Sequence, residues 1–168
     1  MGEIMNSVNS DALSIALKSS LFDMIGQKCC RQRVGEYKSL TLGFGEKILH
    51  SRKKSLDPFR GEWEIGTYCS AWRIVENKRI ICGSMDPVDL HDELDVKISS
   101  IEFGNVVNIV MLSEFDIRLE LSNGINIEFL CATNYDDEAV FIFGPNHLYV
   151  QYTLNEGWRI GKSNEPWI

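Results

Sequence analysis

His91 stands between Asp89 and the pair Asp92-Glu93, and a histidine flanked by carboxylates is the raw material of general acid–base chemistry. Catalysis also needs a nucleophile or a second group at a defined spacing. The chain has no Gly-x-Ser-x-Gly elbow and no His-Glu-x-x-His run. The other histidines, His50 and His147, have no accompanying pattern, and a solvated acidic face is a simpler account of His91 than a catalytic base. Asp86, Asp89, Asp92, Glu93 and Asp95 put many carboxylates into one short stretch. A calcium loop of the EF-hand kind needs alternating ligands, a central glycine and a closing bidentate glutamate, and that order is missing. Gly43-Phe44-Gly45-Glu46-Lys47 lacks the third glycine of a dinucleotide fingerprint and the Gly-Lys-Ser/Thr of a phosphate loop. Cys29, Cys30, Cys69, Cys82 and Cys131 are odd in number and irregular in spacing. Without Cys-x-x-Cys or His-x-x-x-His they suggest reduced thiols and no zinc site. The sequence therefore carries no catalytic motif, metal set or cofactor fingerprint, and a non-enzymatic protein is expected.

Lys28, Arg31, Arg33 and Lys38, with Arg52-Lys53-Lys54, form a basic stretch that phosphate would suit. Residues 1–60 carry ten Lys/Arg against six Asp/Glu, or +4, while residues 61–168 carry seven against eighteen, or −11, giving the chain's net −7. The acidic balance argues against broad nucleic-acid binding and suits a basic partner. The first residues have no basic region ahead of an apolar run, and no later stretch reaches the roughly 20 apolar residues of a membrane helix. A cytoplasmic location with no membrane partner is expected.

The elements that must hold these residues follow from periodicity. With 168 residues and 44% apolar content, the chain suits one domain with a single core. Leu13, Ala16, Leu17, Leu21, Met24 and Ile25 recur at helical steps and predict a helix over about 10–25, capped by Asn9 or Ser10 and stopped at Gly26. From residue 37 to about 161 the body reads as strand-rich. Leu40, Leu42 and Phe44, then Trp63, Ile65 and Thr67, alternate with polar residues or glycine. Residues 71–75 and 79–83 read as a hairpin around the turn candidate Glu76-Asn77-Lys78. Phe115, Ile117, Leu119 and Leu121, the Asn123-Gly124 pair, then Ile125, Ile127 and Phe129 predict a second hairpin with a two-residue type I′ turn. Its opposite face, with Asp116, Arg118, Glu120, Asn126 and Glu128, should be wet. Residues 106–112 and 139–143 suit central strands, and Leu148, Val150, Tyr152, Trp158 and Ile160 continue the pattern. Asp86-Pro87 predicts a capped second helix with Leu90, Leu94 and Ile98 on one face, and His50 to Phe59 a surface loop. No internal repeat or linker is visible. The class is α+β, a predominantly antiparallel sheet with the two helices packed on it.

Gly61-Glu62-Trp63-Glu64-Ile65-Gly66-Thr67-Tyr68 with Trp72 downstream, Phe115-Asp116-Ile117-Arg118, Asn123-Gly124, and the ending Gly157-Trp158-Arg159-Ile160-Gly161-Lys162-Ser163-Asn164-Glu165-Pro166-Trp167 together resemble small bacterial immunity proteins. Such proteins accompany polymorphic or contact-dependent growth-inhibition toxins. The resemblance runs from about residue 37 to the C-terminus and leaves out the N-terminal helix. It implies an inhibitor that binds a cognate toxin C-terminal domain, often a nuclease. These families share no catalytic motif, so no binding residue is carried over. The charge pattern places the expected contact on Asp86, Asp89, Asp92, Glu93 and Asp95 and on Asp136, Asp137 and Glu138. Trp63, Trp72, Trp158 and Trp167 are either core or, if exposed, interface anchors. Two other classes stay open, a small RNA-binding or regulatory module using the basic stretch, and an enzyme with a small-molecule site that no motif marks.

Overall fold

The alternating runs become two antiparallel sheets that share one core. The computed structural model describes residues 15–68, 71–136 and 138–165. A helical segment at 15–20 (α1) leads into β1 (Cys29–Val34), β2 (Leu40–Leu49), β3 (Phe59–Thr67), β4 (Ala71–Glu76) and β5 (Arg79–Gly83). Helix α2 (His91–Ser99) leads into β6 (Val106–Met111), β7 (Ile117–Leu121), β8 (Ile125–Leu130), β9 (Glu138–Phe143), β10 (Leu148–Thr153) and β11 (Gly157–Lys162). One sheet has the order β1-β2-β3-β9-β10-β11 and the other β5-β4-β8-β7-β6. This is the α+β, mostly antiparallel class read from the sequence.

The strand orders repeat a single plan. The meander β1-β2-β3 follows α1 and is extended at β3 by β9; the meander β6-β7-β8 follows α2 and is extended at β8 by β4. Each half thus lends its later strands to the other's sheet. The two starts meet at a bridge, Lys28 pairing with Asn105, where the Gly26 N–H donates to Val106 O at 2.7 Å and the Val106 N–H to Gln27 O at 3.0 Å. The sequence carries no visible repeat, and the likeness of the two halves lies in their strand connectivity. Next to the bridge, Ile25-Gly26-Gln27 and Phe103-Gly104-Asn105 are alike in residue type.

Burial explains why the strands hold. Leu42, Phe44, Ile65, Val140, Ile142 and Val150 of one sheet join Ile74, Ile117, Leu119, Ile127 and Phe129 of the other in a single buried cluster with Leu17, Leu21 and Met24. Trp63, Trp72 and Trp158 are also buried there, and two indole N–H groups find carbonyls, Trp72 Nε1 donating to Lys38 O at 2.7 Å and Trp158 Nε1 to Glu114 O at 2.9 Å. Trp167 and the beginning of the N-terminal helix, with Leu13 and its proposed caps, lie outside the described residues.

Several local expectations are corrected. β6 is an edge strand, because β7 covers only one of its sides; Val107 and Asn108 in its middle accordingly face out. The β7–β8 connection is a three-residue loop, with positive φ only at Gly124 (+83°), whereas Asn77 (50°) and Lys78 (62°) make the two-residue positive-φ turn between β4 and β5. Helix α2 begins at His91, after Leu90 and without a side-chain cap, so Asp86-Pro87 does not start it. Leu94 and Ile98 are buried as the spacing requires, and Leu90 is exposed. Phe115 also stands outside β7 and is partly exposed.

Candidate functional site

Two regions gather side chains that the core does not use. The first is α2 and the loop before it. The helix covers the free edge of β1: the Gln32 amide donates to Ile98 O at 2.5 Å and Ile101 O at 2.6 Å, satisfying carbonyls at the helix C-terminus. Asp95 accepts from the Val34 N–H at 2.8 Å and from Arg33 Nε and Nη2 at 3.0 and 2.9 Å. Its carboxylate is thus committed to fastening α2 to β1. Asp86 is partly occupied by Lys97 at 3.3 Å, which draws the 83–87 loop beside the helix.

With Leu94 and Ile98 inward, the 100° step of the helix turns Asp92, Glu93 and Val96 to one outward face. Val96 is 72% exposed, Leu90 just ahead of the helix 62%, and Met85 beside Asp86 87%. Asp89, Asp92 and Glu93 are exposed around them. Lys97 is already set against Asp86, Lys38 Nζ donates to the Asp86 carbonyl at 3.3 Å and His91 Nε2 lies 3.1 Å from Asp92, so Asp89, Asp92 and Glu93 leave an excess of negative charge here. Asp92 and Glu93 also sit in the first helical turn, where carboxylates stabilise a helix. The remaining acidic residues fall elsewhere. Asp136 accepts from the backbone and side chain of Asn155 in the β10–β11 turn, beyond the opposite edge of the six-stranded sheet from β1. Glu138 opens β9, and Asp137 lies outside the described residues. Among the described residues, Asp136 therefore lies apart from the acidic residues of α2 and the loop before it.

The second region is a cleft of about 1110 Å³ over the six-stranded sheet, on the face opposite the core. Because Trp63 and Ile65 point inward, alternation turns Glu62 and Glu64 outward; Val140 and Ile142 do the same for Phe141 and Phe143. The 50–58 loop forms one wall with His50, Arg52, Lys54 and Ser55, and the β9–β10 connection with Pro145, Asn146 and His147 forms another. At its floor Arg31, Gly43 and Glu64 lie opposite one another on β1, β2 and β3. A Cβ at Gly43 would stand 3.0 Å from Arg31 Cβ and 3.1 Å from Glu64 Oε1, so the missing side chain is what lets the two charges meet across β2. Arg31 Nη1 lies 3.4 Å from Glu64 Oε2 and Arg31 Nε 2.8 Å from Asp57 Oδ2, which pins the loop to the sheet. Glu64 also accepts the Gly61 N–H at 2.7 Å. Burial raises its carboxyl above the usual glutamate range, against the pull of Gly61 and Arg31.

The opposite sheet has a counterpart. Glu128 on β8, also buried, is gripped by Arg73 and approached by Arg118 at 3.9 Å. The face expected to be wet is therefore closed at its centre by an ion-pair row. The described cysteines contribute no ligand set. Cys29, Cys30, Cys82 and Cys131 are free thiols, and burial pushes Cys29 up to about 12 and Cys82 to about 11, which makes both poor nucleophiles. Among the described residues no three His, Cys, Asp or Glu side chains group as a metal site would need, and no helix is long and apolar enough to cross a membrane.

Sequence reasoning pointed to the acidic residues of α2 but missed Met85 and Val96, because lone exposed apolar residues leave no periodic mark. It also missed the cleft, whose walls come from segments about 90 residues apart. Comparisons with protein families, curated proteins and solved structures find no match to this chain.

Proposed function

We propose that this chain is an immunity protein, a non-catalytic inhibitor that holds a basic toxin domain, with a nuclease the leading class, against the outer face of α2. The observation that carries this reading is the combination there of exposed Met85, Leu90 and Val96 with exposed Asp89, Asp92 and Glu93. Apolar anchors supply affinity when desolvated, and the surrounding negative charge speeds encounter with a cation-rich partner and repels acidic ones. Exposed ion pairs contribute only about 0–1 kcal/mol each, so the acids alone would not hold a partner. The buried state of Trp63, Trp72 and Trp158 removes them as anchors and leaves that role to the α2 residues. The sequence resemblance to immunity proteins of toxin systems supplies the class of partner.

The test is co-expression of the C-terminal domain of the large protein encoded beside this chain, with and without the chain, followed by a pull-down. The reading expects a domain that arrests growth alone, is neutralised by co-expression and is retained on the tagged chain. Association should slow as salt rises, and charge reversal at Asp89, Asp92 and Glu93 should lower the on-rate by about tenfold or more. A domain that is harmless, or toxic yet neither bound nor neutralised, overturns it.

A further inference from the structure

The cleft over the six-stranded sheet has a composition that neither the fold nor the α2 face explains. At the corresponding place in the other half of the molecule, three residues join β7 to β8; here residues 50–58 join β2 to β3. The fold can close this connection with a tight turn, so the longer loop is an addition that brings His50, Arg52 and Lys54 over the sheet. Arg31 is spent on Asp57 and Glu64, but Arg52 and Lys54 have no carboxylate partner among the described residues. Facing them are outward aromatic rings on a central strand: Phe141 and Phe143, at 5.6 Å between centroids, with Tyr149 stacked on Phe143 at 4.7 Å and 19°. Phe141 stands opposite Gly66, where a Cβ would come 2.5 Å from its ring, so the absence of a side chain makes room for the ring on the sheet.

Unpaired cations opposite aromatic rings on a sheet are the two parts that hold single-stranded nucleic acid, one taking phosphate and the other the face of a base. The volume, about 1110 Å³, stands just above the range of ordinary ligand clefts, about 300–1,000 Å³, so it admits a single nucleotide and has room for a short strand. The geometry points to this cleft as a binding site for a base-plus-phosphate ligand, a free nucleotide or a short single strand, with Arg52 and Lys54 on phosphate and Phe141 and Phe143 under a base. The site is independent of the toxin-binding reading, since α2 lies along the β1 edge and contributes no residue to the cleft. The net charge of −7 opposes any wider polyanion surface and confines binding to this local exception.

The experiment measures fluorescence anisotropy of a labelled eight-nucleotide single-stranded RNA with the full chain over a salt series, and competition by an unlabelled mononucleotide and by inorganic phosphate. Binding is expected with a log–log salt slope near −1.4, for two phosphates at about 0.7 each. Arg52→Glu with Lys54→Glu, both at exposed positions, should weaken binding about tenfold or more, and Phe141→Ala about fivefold or more, with circular dichroism unchanged. Asp92→Lys with Glu93→Lys, on the α2 face, should not weaken it. Competition by the mononucleotide at the strength of the octamer assigns the ligand to free nucleotides; much stronger binding of the octamer assigns it to strands. No binding at up to about 1 mM protein, insensitivity to the loop charges, or competition by phosphate equal to that of the mononucleotide overturns the assignment.

Discussion

Glu64 shows how one position acquires a property its sequence context conceals. Its place in Glu62-Trp63-Glu64-Ile65 marks it as the polar half of an alternation, and alternation reads such a residue as solvated. It is buried beside Arg31 at the floor of the cleft walled by the 50–58 loop, which the bonds of Arg31 and Arg33 to Asp57 at 2.8 and 3.0 Å tie down. The nearest sequence signals were the glycines, since Gly43 opposite Glu64 and Gly66 opposite Phe141 are where side chains must cross the sheet. With its carboxyl pushed up by burial, the folded protein favours the protonated form more than the unfolded chain does. The stability that form contributes is fully present below the ordinary glutamate value and is lost as pH rises through the raised one. Urea unfolding of the chain and of Glu64→Gln between about pH 4 and 8 should show the native protein losing ground against the variant as pH increases. A difference that stays flat, or grows in favour of the native protein, would show that the Arg31 and Gly61 contacts outweigh burial.

Hairpins were the most legible elements, because alternation and turn residues act within a few positions of each other. The 71–76 and 79–83 strands, and those flanking Asn123-Gly124, are present and antiparallel. The type of the second turn was misread because Asn-Gly marks positive φ without fixing the loop length. The start of α2 was misread for a related reason: the proline suits a first helical position, but the 83–88 stretch instead folds on its own turns, with the Asp86 N–H donating to Gly83 O and the Val88 N–H to Asp86 O. Edge and centre are set by pairing between distant segments, so the apolar run 106–112 gave no warning that β6 lies at the rim. Where local pattern and long-range packing agree, the energetic consequence is large. Phe129 is fully buried on β8, opposite Trp72 and Ile117, and Phe129→Ala should cost about 3–5 kcal/mol in chemical denaturation. A cost under about 1 kcal/mol would place that ring outside the close-packed core.

On the scale of the molecule, the repeated plan was invisible because the two halves share connectivity and hardly any residues. The exchange of β4 and β9 between sheets forces both halves to fold together, so the core is one cluster. The halves then diverge at their surfaces, one sheet carrying the loop-walled cleft and the other a closed row of Arg73, Glu128, Arg118 and Glu120. Charge asymmetry along the sequence foretold an acidic surface but not its division, with Asp95 and Asp136 bonded internally and Asp89, Asp92 and Glu93 exposed. The proposal that the α2 face binds a toxin domain stands or falls on titrating the purified C-terminal domain of any large protein encoded beside this chain with the native protein, with Asp92→Arg/Val96→Arg, and with Arg52→Glu/Lys54→Glu. The native protein and the cleft variant should bind tightly, and the α2 variant should lose about thirtyfold or more, some 2 kcal/mol. An α2 variant that binds and neutralises the domain as well as the native protein does would contradict the proposal.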